Sequence, residues 1–167
     1  MSAIIAALML PIPLAHLWLH ALLPWWKKYP RLFYFWGFII WDGAFAIVPT
    51  LDIISPIAIY PTSFLRGIGL ILIATGLVAI IWSALTLGAR RFFVWAVLRP
   101  ESTSQIRINH GPFEWLPHPA YSGYVLLALG NFLINGKLYL AGILLYTLIT
   151  LPIVIWLEDH ELGQRID

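Results

Sequence analysis

Within residues 111–123, GPFEWLPHPAYSG, the run His118-Pro119-x-Tyr121-x-Gly123 sets an imidazole, a rigid turn, a phenol and a glycine at the mouth of a long apolar segment. An imidazole titrates near neutral pH, so it suits hydrogen bonding to an anion or proton transfer. Pro119 presets the turn, and Gly123 permits close approach of backbone or ligand. A second polar element, Glu158-Asp159-His160-Glu161-Leu162, follows the last apolar run. Carboxylates at a helix C-terminus are electrostatically unfavourable, so this element reads either as a solvated tail or as acceptors for hydroxyls or a cation. His16 and His20, spaced i and i+4, share one helical face. No second histidine pair occurs in the helices, so interior polar packing or an interfacial position suits them better than haem or metal ligation. Asp42 stands between Trp41 and Gly43 in mid-helix. A carboxylate there is costly without a partner, and Arg66 or a histidine of the first helix are the candidates.

What positions these groups is a membrane. The chain has 167 residues, of which 60% are hydrophobic and 11% charged, with a mean hydropathy of +0.84. So little charge cannot clothe a water-facing surface. A spanning helix needs ~20 mostly apolar residues. Five segments qualify, 2–23, 32–50, 64–88, 121–134 and 138–157, the last two forming a C-terminal hairpin. The fourth is short, which implies tilt, burial in protein or extension into the preceding loop. The expected fold is therefore an all-α polytopic bundle of about five helices, a single domain over residues 1–167, with any site built from helix ends and loops. The first segment lacks a basic leader and a small-residue cleavage site, so it reads as a membrane helix rather than a signal peptide. Pro11 and Pro13 should interrupt it. Cysteine is absent, which excludes disulfides and thiolate chemistry.

Lys27, Lys28, Arg31, Arg90, Arg91, Arg99, Arg107 and Arg165 fall on one side of such a bundle, and only Arg66 and Lys137 on the other. The positive-inside rule then sets the N-terminus outside and the C-terminus in the cytoplasm. The 111–123 loop and the acidic element share that cytoplasmic face.

Trp25, Trp26, Tyr29, Phe33, Tyr34 and Trp36 form an expected interfacial aromatic belt. Residues 51–63, with prolines in and beside them, read as a non-helical connection. Gly67, Gly69 and Gly76 mark the third helix as the central packing helix. The run after Gly88, ARRFFVWAVLRPESTSQ, reads as a helix lying along the headgroups. Residues 99–109 are the one properly hydrophilic run. Nucleic-acid binding has no support, because the few basic residues flank membrane spans. Glycine-rich dinucleotide and phosphate fingerprints are missing too.

The His-Pro-x-Tyr-x-Gly run resembles the motif that opens the penultimate helix in the isoprenylcysteine carboxyl methyltransferase family and its relatives, the small phospholipid methyltransferases. The acidic element stands where that family places a Glu-Glu pair, and Leu87-Gly88 followed by Arg90-Arg91-Phe92-Phe93 is also similar. The resemblance spans residues 87–162. It implies that S-adenosylmethionine is held by His118, Tyr121, Gly123, Glu158 and Asp159. It implies also that a lipidic or prenylated acceptor, a prenylcysteine carboxylate or a lipid headgroup amine, enters sideways from the bilayer. It implies no metal, and no catalytic residue is assigned. Two departures stand out: Pro117 replaces the arginine usual before the histidine, and the tail continuing past the acidic element in relatives is not found here.

The sequence therefore points to an integral-membrane methyltransferase using S-adenosylmethionine. The alternative is a non-catalytic transmembrane subunit of a larger membrane complex, derived from the same family and docked on partner membrane subunits. A sterol-reductase branch of the superfamily is a weaker third, because nothing reads as a nicotinamide site.

Overall fold

The computed structural model describes residues 2–102 and 106–166. Residues 103–105 of the hydrophilic run lie outside it, as does the side chain of Arg165. Among the described residues the chain is helical apart from turns and one isolated bridge, Ile57 to Lys137.

The first apolar segment is two helices in tandem, α1 (Ser2–Met9) and α2 (Pro11–Ala21). The expected interruption falls at Leu10, whose amide still donates to Ala6 (2.9 Å). Pro11 opens α2, where its missing N–H removes no helical bond. A short α3 (Leu23–Lys28) turns the chain into α4 (Pro30–Ile54). α4 runs through Pro49 and ends later than the prolines suggest, so the non-helical connection shrinks to residues 55–62. α5 (Ser63–Leu87) is capped by the Thr62 hydroxyl, which accepts from the Leu65 amide (3.3 Å).

The run expected as one interfacial helix is instead two four-residue helices, α6 (Ala89–Phe92) and α7 (Trp95–Leu98). They meet at Val94, whose φ of 56° is left-handed. A β-branched residue there is strained, and neighbours hold it. The Tyr34 hydroxyl donates to the Phe93 carbonyl (2.6 Å), the Tyr34 ring stacks on Trp95, and Leu98 is buried with Leu19, Leu23 and Trp26. This α6–α7 strap is fixed by tertiary contact rather than by its own helicity.

Single 3-10 turns at Pro100–Ser102 and Gly111–Glu114 lead to α8 (Pro119–Asn135) and α9 (Leu138–Ile166). Among the described residues four stretches are long and apolar enough to cross a membrane: Ser2–Ala21, Pro30–Ile54, Ser63–Leu87 and Leu138–Gly163. The fifth expected helix is α8. Its 17 residues reach about 26 Å, and much of its surface is buried in protein.

The burial of α8 rests on glycine. A Cβ built on Gly123 would stand 2.7 Å from the Gly76 carbonyl, and one on Gly130 would stand 2.6 Å from that of Gly69. Two glycine pairs thus bring the backbones of α5 and α8 together, as small residues do in membrane bundles. A Cβ built on Gly67, expected to share this role, would meet no neighbouring element within 4 Å.

At the end of the bundle away from His118, Asp52 accepts from Ser2 (3.1 Å) and Tyr139 (2.8 Å) and pairs with Lys137 (3.1 Å). Gly136, at φ 65°, sends its carbonyl to the amides of Ala58 and Ile59. Asp42 is exposed on α4, and neither Arg66 nor a first-helix histidine meets it among the described residues.

Candidate functional site

α9 does not stop before the acidic element. It continues to Ile166, so Glu158 and Glu161 stand one turn apart on the same helical face, and Asp159 stands beside them. The expectation of carboxylates beyond a helix end is corrected here. The physical reason is tertiary, since α2 and α8 supply donors to this turn and hold it helical.

Each donor comes from a defined place. His118 is the residue before α8, and its Nε2 lies 3.1 Å from Asp159 Oδ2. Tyr121, in the first turn of α8, donates its hydroxyl to Glu158 Oε2 at 2.7 Å. The same phenolic oxygen lies 3.0 Å from His16 Nδ1. A phenol has one proton, and here it goes to the carboxylate. Hence the His16 Nδ1–H donates to Tyr121, and the imidazole lone pair lies at Nε2. His20, one turn further along α2, pairs through Nδ1 with Glu161 Oε2 at 2.9 Å. Arg107 approaches the outer side of Asp159 at 3.5 Å, an exposed pair of little energetic weight. The His118 and Tyr121 rings stack with centroids 5.7 Å apart, and His16 meets Tyr121 edge-on.

Around this network are three cavities that share walls. An outer one of about 150 Å³ lies between the strap, the loop before α8 and the acidic turn, and Arg91, Arg107, His118, Glu158 and Asp159 face it. An inner one of about 80 Å³ continues past His118 and Glu158 to His16, His20 and Tyr121. The third, about 360 Å³, is an apolar groove between α2 and α4, lined by Ile12, Phe33, Phe38 and Trp41 among others. It also touches His16, Phe92, Val94 and Tyr124, which it shares with the inner cavity. One imidazole thus borders both the inner recess and the apolar groove.

Of the residues singled out by sequence, His118, Tyr121, Glu158 and Asp159 come together. Gly123 does not line these cavities, because it is taken up by the contact with Gly76. Pro117, the departure from the usual arginine, lines the outer cavity, and Arg91 and Arg107 bring guanidinium groups there from other segments. His16, His20 and Glu161 enter the network unassigned by the motif. The sequence signals for them were the i, i+4 histidine pair and the place of Glu161 in the acidic element.

The donor set suits S-adenosylmethionine. Carboxylates match hydroxyls and a sulfonium, guanidinium and imidazole match a carboxylate, and Leu87, Ala96, Val97 and Phe113 give apolar walls. No group of three or more metal-ligating side chains occurs among the described residues.

A family model described as phospholipid methyltransferase matches residues 65–164, from α5 to near the end of α9. Comparison with curated proteins and with solved structures finds no match.

Proposed function

The chain belongs to the phospholipid methyltransferase family, and on that premise we propose that it transfers a methyl group from S-adenosylmethionine to a membrane-borne acceptor. The observation that carries this reading is the Tyr121–Glu158 and His118–Asp159 pairing at the junction of the inner recess and the apolar groove.

Glu158 and Asp159 hold the hydroxyl and cationic parts of the donor, and His118 with Arg91 and Arg107 its carboxylate. Bound there, S-adenosylmethionine supplies an electrophilic methyl group. The chain's own task is alignment and exclusion of water. Phe33, Phe38 and Trp41 take the hydrocarbon of the acceptor, a lipid headgroup amine or a prenylcysteine carboxylate. An amine must lose a proton, and the His16 Nε2 lone pair is at hand for it. A carboxylate needs no base, and His16 then serves only to orient Tyr121. The outer and inner cavities are tight, so a nucleoside-sized ligand enters as the loop before α8 draws away from the fixed strap.

The test is calorimetry of the full chain in nanodiscs with S-adenosylhomocysteine. Saturable binding is expected. No detectable binding would favour the rival reading, a non-catalytic subunit held by partner membrane proteins.

The side on which this happens is the cytoplasm, with the N-terminus outside. Eight of the ten Lys and Arg residues lie at the end of the bundle that carries the site. Reporter fusions should find the C-terminus cytoplasmic, and a cytoplasmic N-terminal reporter would reverse the assignment.

A further inference from the structure

A fourth cavity lies on the other side of the strap, open and about 730 Å³ in volume. Its cations come from three separate segments: Lys28 ends α3, Arg31 stands in the first turn of α4, and Arg99 follows α7. Tyr29, Phe35 and Trp95 supply aromatic walls, and no carboxylate lines it. Among the described residues neither Lys28 nor Arg31 has a carboxylate within ion-pair distance, and Arg99 has only the exposed Glu101 at 3.7 Å. Lys28 sits 5.4 Å over the Tyr29 ring, a contact that leaves its ammonium able to donate. Arg31 is also placed against the helix dipole, which favours negative charge at that end. Like charges around one cavity repel, and an anion between them relieves that repulsion.

The cavity stands where the chain turns between two membrane spans, Ser2–Ala21 and Pro30–Ile54. That is headgroup depth, and aromatic side chains prefer that depth. We propose that Lys28, Arg31 and Arg99 bind the phosphate of an anionic lipid headgroup, with its acyl chains running down the exposed face of α4 past Phe35. This site is separate from the candidate methyl-transfer site and independent of that reading. The strap is their common wall: Trp95 and Arg99 face the lipid cavity, and Ala96 and Val97 face the outer cavity.

The experiment is native mass spectrometry of the full chain from phosphatidylcholine nanodiscs made with and without phosphatidylglycerol. Retention of phosphatidylglycerol in preference to phosphatidylcholine is expected. A hydrogen bond to a charged group is worth ~1.5–3 kcal/mol, and ~1.4 kcal/mol is tenfold. Lys28→Gln, Arg31→Gln and Arg99→Gln should therefore each weaken retention about tenfold or more, and the triple variant should abolish the preference. Lys28→Arg should keep it. Lys27→Gln and Arg90→Gln remove charge at the same end without lining the cavity, and should leave retention unchanged. Equal losses from those two variants would show diffuse surface attraction and overturn the site, as would absence of any preference for phosphatidylglycerol. Inorganic phosphate titrated into phosphatidylcholine nanodiscs containing phosphatidylglycerol separates the sources. Failure of phosphate to displace the lipid supports a lipid ligand. Displacement with the same dependence on Lys28, Arg31 and Arg99 upholds the phosphate site but overturns its assignment to a lipid.

Discussion

Gly123→Leu is expected to separate α5 from α8 and to destabilise the protein more than the loss of any one hydrogen bond at the candidate site. Even a Cβ at this position would lie 2.7 Å from the Gly76 carbonyl and 2.7 Å from Ile80 Cγ1. The first of those atoms is backbone, so that clash cannot be relieved by a rotamer change. Overpacking a core costs ~1–3 kcal/mol and occasionally more, and forcing two helix backbones apart belongs at the upper end. Gly123→Ala should cost roughly 1–3 kcal/mol by the same argument. Gly67→Ala, in open space, should be near neutral. Unfolding in detergent, followed by tryptophan fluorescence, gives the comparison. Equal stability of Gly123→Leu and Gly67→Ala would show that the two helices do not meet through glycine.

At the site, Glu158→Ala and His118→Ala should each weaken binding of S-adenosylhomocysteine about ten- to a hundredfold. A hydrogen bond to a charged group is worth ~1.5–3 kcal/mol, and ~1.4 kcal/mol is tenfold in affinity. Glu158→Ala has a second consequence, since it leaves the Tyr121 hydroxyl, which itself accepts from His16, without its acceptor. Glu158→Gln keeps an acceptor for Tyr121 and removes the charge, so it separates the loss of charge from the loss of the network. Arg107→Ala removes one of the donors to the cofactor carboxylate, but from an exposed position, so its loss should be smaller, about fivefold or less. Calorimetry in nanodiscs reads all four variants. Wild-type affinity in both alanine variants would mean that the cofactor is bound elsewhere.

How much of this was legible in the sequence differs by the kind of force involved. The spans were legible because lipid is a uniform solvent, and apolar length is enough to satisfy it. The meeting of His118 and Tyr121 with Glu158 and Asp159 followed from one hairpin, whose two helices must return to the same end. The continuation of α9 through Glu158 was not legible. Acidic residues there read locally as a stop signal, and what keeps them helical comes from His20 and Tyr121, distant in sequence. Val94 is a similar case, since nothing in a valine's own preferences indicates a left-handed turn. Gly69 and Gly76 announced a close helix contact. Their register with Gly130 and Gly123 became visible only once α8 lay beside α5.

The glycine contact also bears on how the protein is made. A chain emerges from the ribosome N-terminal end first, and α5 is complete before the strap, the loop and α8 have been synthesised. Until α8 arrives, Gly69 and Gly76 expose a bare strip of backbone to lipid, and α2 carries His16 and His20 with their eventual partners unmade. α5 must therefore wait in the bilayer as a single inserted helix, and the histidines are seated only when the final hairpin closes. Quality control of this protein should accordingly turn on α8 and α9, whose insertion joins α5 to the packed α1–α4 unit and closes the site.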